Sequence, residues 1–262
     1  MSGKEREVVC PSGMRGMIRP LKVTEERLYR EAKVIKANRT IQQFISHGWV
    51  GLVDPGPYNF KGDKVDWDKL LIGDSMYLLM QVRAATYTHE YPIVFPCQGC
   101  NKPVNHTIDV LQDMEMQLLP EESRVHVSTG DPMSIMYDNR EIRFRLLTLG
   151  DEKQISRIED MRKFNRVQAA LAVRIVEVEG IDKHGFGVIN WIEEMDASEP
   201  DDLTEILDEY DCGLDTTIDA ICEHCKYRQE LDLPLQASFF RKPSKRKERR
   251  RARAQVRLAE EM

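Results

Sequence analysis

The sequence lacks any apolar run long enough to cross a membrane. Its first residues, Met1 to Glu7, also lack the apolar core of a secretory signal. Charged residues make up 31% of the 262 positions, so we expect a soluble protein. Cysteine is scarce, and the six cysteines suit a metal site better than a disulfide framework. We therefore expect the protein to be located in a reducing cytoplasm. The length allows a sizeable core, as one elaborated domain or two small ones.

The motifs of common enzyme classes are missing as well. The chain has no glycine-rich phosphate loop, no GxSxG elbow and no HExxH, and its carboxylates occur in runs without a distinguishable acid/base pair. Isolated His and Asp residues remain able to converge in three dimensions. We therefore expect a protein without enzymatic activity, with no catalytic or cofactor-binding residues to name.

Two cysteine pairs are the strongest motif that is present. Two residues separate Cys97 from Cys100, and two separate Cys222 from Cys225. Two such turns direct four thiolates at one point, which is the closed tetrahedron of a structural zinc site. We predict one shared Zn²⁺ that ties distant segments together, with no open coordination position. Unliganded thiols or disulfides are the alternative.

Alternating apolar residues flank both pairs and predict a β-hairpin around each. The strand pattern before the first pair is clear at Ile93 and Phe95, and Gly99 is expected to supply the backbone freedom of the turn. Leucines alternate at positions 231, 233 and 235 after the second pair.

Other potential metal ligands have no spaced partner. Three histidines are substitutes that we interpret as surface residues: His89, His106 and His224. Cys10 and Cys212 are interpreted as ordinary buried or half-buried thiols.

The net charge of −6 conceals two opposed segments. From Arg241 to Arg257 the chain has ten lysines and arginines against Glu248 alone, whereas residues 184–225 contain none. The acidic block predicts a solvated face, or alternatively a surface for a basic partner. The basic tail can bind nucleic acid, a partner protein or the acidic face itself.

Periodicity predicts strands that lead directly into helices. Residues 145–152 repeat the pattern of residues 19–26, each running from a strand into a helix. A long helix is expected from Ile155 to Gly180 with a break near Phe164 or Asn165. Asp74 is expected to cap another helix, and residues 49–66 are expected to form a loop. The predicted fold class is therefore α+β and mostly helical, with two strand-to-helix modules joined by the Cys₄ zinc site.

The predicted domain boundaries follow the cysteine pairs. An N-terminal module at residues 1–120 carries the first pair, and a C-terminal module at residues 121–240 carries the acidic helices and the second pair. The basic tail occupies residues 241–262. A duplication of one module is the simplest explanation of the repeated pattern.

In their order, these parts resemble the baseplate hub proteins, or hub assembly factors, of tailed phages of the T-even type. The resemblance covers most of the chain except the basic tail. The segments that carry it are Pro11–Gly13, Ile18–Glu25, Leu70–Leu79, Val82–Arg83, Tyr91–Cys100, Leu146–Glu152, Cys222–Cys225 and Phe239–Phe240.

The resemblance implies a structural or assembly role in the contractile tail baseplate, by protein–protein contact with other baseplate and tail hub proteins. It implies a location in the host cytoplasm during assembly and in the virion tail, and it offers no catalytic residues. The competing hypothesis is a zinc-ribbon nucleic-acid-binding protein that uses the basic C-terminal arm. Against it, the body is acidic and residues 97–106 carry few basic or aromatic side chains.

Overall fold

A computed structural model describes residues 5–26, 37–62, 64–182, 186–233, 235 and 239–240, the side chains of residues 37–40 excepted. Residues 27–36, where the helix that begins in residues 19–26 was expected to continue, lie outside this part of the chain. The basic tail lies wholly outside it.

In the described part of the first half lie five strands and two helices with complete bounds, besides a helical turn at residues 23–26. They are β1 (Arg6–Val9), β2 (Arg15–Ile18), α1 (Ala37–Gly48), β3 (Trp49–Asp54), α2 (Ile72–Thr86), β4 (Glu90–Pro96) and β5 (Pro103–Asp109), with a short 3₁₀ turn at Trp67–Lys69 before α2.

The second half continues with seven strands and five helices among the described residues. They are β6 (Met116–Gln117), α3 (Glu121–Thr129), β7 (Met133–Tyr137), β8 (Arg140–Phe144), α4 (Glu152–Arg162), α5 (Arg166–Arg174), β9 (Ile175–Val178), α6 (Gly187–Glu193), α7 (Glu199–Asp208), β10 (Gly213–Leu214), β11 (Thr217–Ile221) and β12 (Arg228–Asp232), with a 3₁₀ turn at Leu149–Asp151.

The expectation of a mostly helical protein is wrong. The part of the chain that the structure describes is 37% helical and 27% strand, and its strands form five small antiparallel sheets. The expected helix to Gly180 ends at Arg174, where the chain enters β9, and the expected loop at 49–66 begins with β3. Both strands contain β-branched residues, two valines in β3 and Ile175, Val176 and Val178 in β9, whose side chains pack better on a pleated surface than on a helix. The expected break near Asn165 is confirmed, since that residue caps α5.

The same arrangement of strands and helices occurs twice. Strands β1, β2 and β3 form one antiparallel sheet in that order, and β7, β8 and β9 form another in the same order. In each case the middle strand leads towards a helix and a later helix leads directly into the third strand. The residue after the middle strand makes the same backbone hydrogen bond in both halves. The Arg19 N–H donates to the Gly48 carbonyl (2.8 Å), and the Arg145 N–H donates to the Arg174 carbonyl (2.9 Å).

An arginine clamp is repeated at the entry to the helical segment of each half. The Arg19 guanidinium binds both carboxylate oxygens of Glu25, and the Arg145 guanidinium binds both of Asp151. The same carboxylates accept a backbone N–H three residues earlier, from Lys22 (2.7 Å) and from Thr148 (2.8 Å). Each pair of equivalent residues is 126 positions apart. These correspondences support two related modules, while the boundaries at residues 120 and 240 stay a prediction.

The main core extends through both halves. Its largest members are aromatic residues. Phe239 packs edge-to-face against Tyr91, and Phe240 packs edge-to-face against Phe44. The buried Arg83 side chain donates to the Phe239 carbonyl at 3.1 Å. The segment after the second cysteine pair therefore returns to the first half and seals its core.

Asp74 does not cap α2, which begins at Ile72 without a side-chain cap. Its carboxylate is fully buried and accepts hydrogen bonds from the Ser12 N–H (3.0 Å), the Ser12 hydroxyl (2.5 Å) and the Tyr58 hydroxyl (2.7 Å). Burial raises the pKa of Asp74 against the effect of these hydrogen bonds. Asp74 thus fastens the first hairpin to α2, a role that its position in a sequence pattern does not reveal.

Candidate metal centre

The first cysteine turn follows directly from β4. The N–H of Cys97 donates to the Lys102 carbonyl (2.9 Å), and the N–H of Asn101 donates to the Cys97 carbonyl (2.8 Å). Asn101 has a φ of 57°, in the left-handed region that Asn tolerates better than most residues. This conformation turns the chain back into β5 and leaves both sulfurs on the same side of the turn.

The second cysteine turn repeats the first, hydrogen bond for hydrogen bond. The N–H of Cys222 donates to the Tyr227 carbonyl (2.9 Å), and the N–H of Lys226 donates to the Cys222 carbonyl (2.9 Å). Lys226 takes the left-handed position, with a φ of 63°. The expected β-hairpin around each pair is confirmed, with β4 paired to β5 and β11 paired to β12.

Gly99 has a different role from the one expected. Its φ is not positive, and the residue in each turn that needs left-handed freedom is the one after the second cysteine. A Cβ atom on Gly99 would lie 2.9 Å from Cγ of Tyr227, so a glycine is needed there for steric reasons. The aromatic ring of one turn therefore lies against the backbone of the other.

The four sulfur atoms converge at one point between the turns. All of them lie within 4.8 Å of one another, with Cys97 Sγ 3.6 Å from Cys225 Sγ and Cys100 Sγ 3.8 Å from Cys222 Sγ. A disulfide needs about 2.05 Å, so none is formed. A Zn–S bond of about 2.3 Å gives a tetrahedron with edges of about 3.8 Å. The geometry fits a tetrahedral thiolate-bound metal.

The environment of the sulfurs also suits a cation. Cys97 and Cys222 are each only 1% exposed. Backbone N–H groups of Cys225 and His224 lower the pKa of Cys222 to about 7. The N–H of Tyr227 lowers the pKa of Cys225, but loss of solvation and the hydrogen bonds that its thiol donates to Cys100, Cys97 and Cys222 raise it to about 12. Four thiolates this close repel one another, and a bound cation removes that repulsion.

A direct polar contact joins the two turns beside the sulfurs. The N–H of Gln98 donates to the side-chain oxygen of Gln229 on β12 at 2.9 Å. Gln229 is buried, and no sequence motif marks it out. It aligns the second hairpin against the first independently of any ion.

The comparison with protein families shows which family the chain belongs to. The model of the family described as T4 bacteriophage base plate protein matches residues 4–241, nearly the whole sequence. The chain belongs to this family. No curated protein and no solved structure gives a significant match.

Membership makes the chain a T4-type phage baseplate protein. It implies a place in the virion tail, other baseplate proteins as neighbours, and a structural role in the baseplate. Among the residues that the structure describes, no helix is sufficiently long and apolar to span a bilayer. No finding supports contact between this baseplate protein and nucleic acid. The match ends at the first residue of the basic tail, so the tail is the part that the family does not explain.

The remaining candidate ligands of the baseplate protein lie apart from the four sulfurs. His89 Nδ1 lies 2.7 Å from the Asp109 carboxylate, and His106 borders a separate cleft. His224 lies in the second turn, and its side chain is exposed. Burial and the nearby Asp74 carboxylate raise the pKa of both Cys10 and Cys212, which are buried thiols as expected.

Proposed function

We propose that this baseplate protein is a structural or assembly component of the baseplate hub, and that it holds one structural Zn²⁺ through Cys97, Cys100, Cys222 and Cys225. It works by protein–protein contact and catalyses no reaction. The family match over residues 4–241 is the observation that carries this proposal.

The geometry of the four cysteines supports a structural metal rather than a reactive one. Four protein ligands complete a zinc tetrahedron, which leaves no position for a substrate or an activated water. Each cysteine pair lies on its own hairpin, about 125 residues from the other. A metal held there closes a long loop, and its binding free energy adds to the free energy of folding. The metal is therefore expected to hold the two hairpins rigidly together.

Exposed apolar side chains support a role in protein–protein contact. Leu118 and Val125 are each 61% exposed, on the segment that leads from the first hairpin into α3 and on α3 itself. Neighbouring proteins of an assembled baseplate can cover such side chains, since apolar residues at the centre of an interface contribute most of its binding energy.

The test is genetic. An early stop codon in the phage gene for this chain should leave heads intact and abolish complete baseplates, seen by electron microscopy of lysates from infected cells. Complementation with the wild-type gene should restore tails, and complementation with Cys222→Ser should not. Normal tails in the absence of the protein would overturn the proposal.

A second experiment addresses the hub and the contacts. Affinity-tagged protein from infected cells should co-purify with baseplate hub proteins, identified by mass spectrometry. Leu118→Ser with Val125→Ser should reduce the recovery of hub proteins while the melting temperature stays unchanged. The exposed control Glu205→Gln should leave the recovery of hub proteins unchanged. Recovery of outer baseplate proteins alone would contradict the assignment to the hub.

A further inference from the structure

The second half of the chain contains an open groove where the first half is filled. In the first half, Phe44, Arg83 and Tyr91 surround the Phe239–Phe240 pair, with the Arg83 guanidinium carbon 5.0 Å from the Phe239 ring centre. In the second half, the position equivalent to Phe44 lies 126 residues later and is Ala170. The positions equivalent to Arg83 and Tyr91 lie 125 residues later and are Asp208 and Thr216.

These three equivalent residues all border the groove. Their smaller side chains leave a volume of about 730 Å³ among α2, α5, α7 and the β6–β10 pair. Its apolar floor includes Ile72, Met76, Leu147, Val167, Leu171 and Leu214. The repeat therefore explains why this groove is open while its counterpart is sealed.

The rim of the groove is acidic. Glu115, Asp208, Asp211 and Asp215 border it against two arginines. Those arginines are already engaged within the fold, because Arg174 pairs with Asp208 and Asp211, and Arg166 pairs with Glu152. The two remaining rim carboxylates, of Glu115 and Asp215, are exposed.

A second cleft of about 650 Å³ continues from the groove along the two hairpins. The clefts share Glu115 and Asp215, and the second adds Asp113, Asp219 and Glu230. We call the two together the acidic trough. It combines an apolar end with a line of carboxylates, which fits an extended basic segment that also carries a few apolar residues.

The chain itself supplies such a segment close by. After Phe240 come 22 residues, with ten lysines and arginines against Glu248 between Arg241 and Arg257, and with Val256 and Leu258 near the end. The Tyr87 hydroxyl holds the Phe240 carbonyl at 2.8 Å, just beyond the C-terminal end of α2. The trough lies at the other end of α2, at Ile72, and the rise of a helix makes this distance about 22 Å. An extended chain of 22 residues spans up to about 70 Å, so the segment can reach it.

We propose that residues 241–262 bind in the acidic trough of their own chain. The lysines and arginines pair with the trough carboxylates, and Val256 and Leu258 face the apolar end. This inference does not depend on the baseplate role, because it uses only the charges, the groove and the length of the segment.

Carbodiimide coupling of the full-length protein tests the inference, since it joins lysine amines to carboxylates that touch them. Mass spectrometry should find Lys242, Lys245 and Lys247 joined to trough carboxylates such as Asp113 and Glu115. Mixing ¹⁵N-labelled with unlabelled protein should show that the joined peptides come from one molecule. About 0.5 M salt should reduce the yield several-fold, because it screens the charges.

A pair of matched variants supplies the control. Glu115→Gln with Asp215→Asn should lower coupling at the remaining trough carboxylates several-fold, and Asn keeps the oxygen that accepts the Thr217 N–H. Glu205→Gln with Glu209→Gln changes the charge equally at two exposed positions outside the trough, one on α7 and one just after it, and should leave coupling unchanged. Coupling spread evenly over surface carboxylates would overturn the proposal. Coupling only between labelled and unlabelled molecules would also overturn it, in favour of binding to a second copy.

Discussion

Cys97 and Cys225 place their sulfur atoms 3.6 Å apart, although 128 positions of sequence separate them. The second diagonal pair, Cys100 and Cys222, lies at 3.8 Å. Both values match the edge of a zinc–thiolate tetrahedron. The two hairpins are thus already positioned around the volume of one ion, and the stability of the whole chain is expected to depend on that ion.

Removal of one ligand should remove the metal and the cooperative fold together. We expect Cys222→Ser to bind no zinc and to lower the free energy of unfolding by more than about 3 kcal/mol, because the binding energy of a structural metal is also folding energy. Elemental analysis and differential scanning calorimetry measure the two effects.

The matched control for that variant is Gln98→Ala in the first turn. Gln98 donates to Gln229 through its backbone N–H and its side chain is exposed, so this variant should keep one zinc per chain and its melting temperature. A Cys222→Ser protein that melts like the wild type, or a wild type unaffected by chelator, would contradict the structural zinc site.

The two arginine clamps should contribute equally. Arg19→Ala and Arg145→Ala should each cost about 1 kcal/mol, since both remove a bidentate ion pair that is partly exposed. Urea unfolding measures the change. Arg15→Ala serves as control, because its longer contacts to Glu7 and Asp54 are more exposed and should contribute close to nothing. A large difference between the two clamps would argue against their equivalence.

A methyl group at Gly73 should force the two halves apart. A Cβ atom there would lie 1.8 Å from the Cys212 carbonyl oxygen, and backbone cannot yield as a flexible side chain can. We expect Gly73→Ala to cost about 3 kcal/mol or more in thermal unfolding. Gly51→Ala is the control, because nothing lies within 4 Å of its Cβ position. Equal melting temperatures for the two variants would show that α2 and the segment at Cys212 do not pack as described.

Asp211 should make stability depend on pH. Burial raises the pKa of Asp211 to about 6, although Arg174 opposes the change. The folded protein therefore holds a proton that the unfolded chain, with a pKa of about 4, releases earlier. This contribution is complete below pH 4 and is lost as the pH rises through 6, by at most about 3 kcal/mol.

Urea unfolding of wild type and Asp211→Asn between pH 4 and 7 measures this effect. The amide keeps an oxygen for the Cys212 N–H but does not titrate in this range. The difference in unfolding free energy between the two proteins should fall with rising pH. A constant difference would show that Asp211 titrates normally in the folded protein.

Local features of the chain were predictable where a short pattern is enough to specify them. Alternation at Ile93 and Phe95 predicts β4, and the break at Asn165 follows from its preference for helix caps. The excess of helix in the prediction arose at β9, where a few β-branched residues directly follow a helix and periodicity cannot separate the two. The strand β3 was instead predicted as part of a loop.

The partner of a buried polar group was not predictable. Asp74 has the spacing of a helix cap, yet its carboxylate binds Ser12 and Tyr58, which are 62 and 16 positions away. Gln229 likewise carries no motif. A single sequence shows which side chains are polar, but the packing of distant segments decides which of them meet.

The sequence alone determined that four cysteines occur in two equally spaced pairs, that each pair lies in a hairpin, and that the Arg19 segment recurs at Arg145, because these patterns are set by neighbours along the chain. Only the tertiary structure decided that the two turns face each other at sulfur–sulfur distances of 3.6 to 3.8 Å, and that an acidic trough stays open beside them. The physical reason is that local patterns fix the shape of each turn, whereas the packing of α2 against the Cys212 segment fixes how the two halves meet.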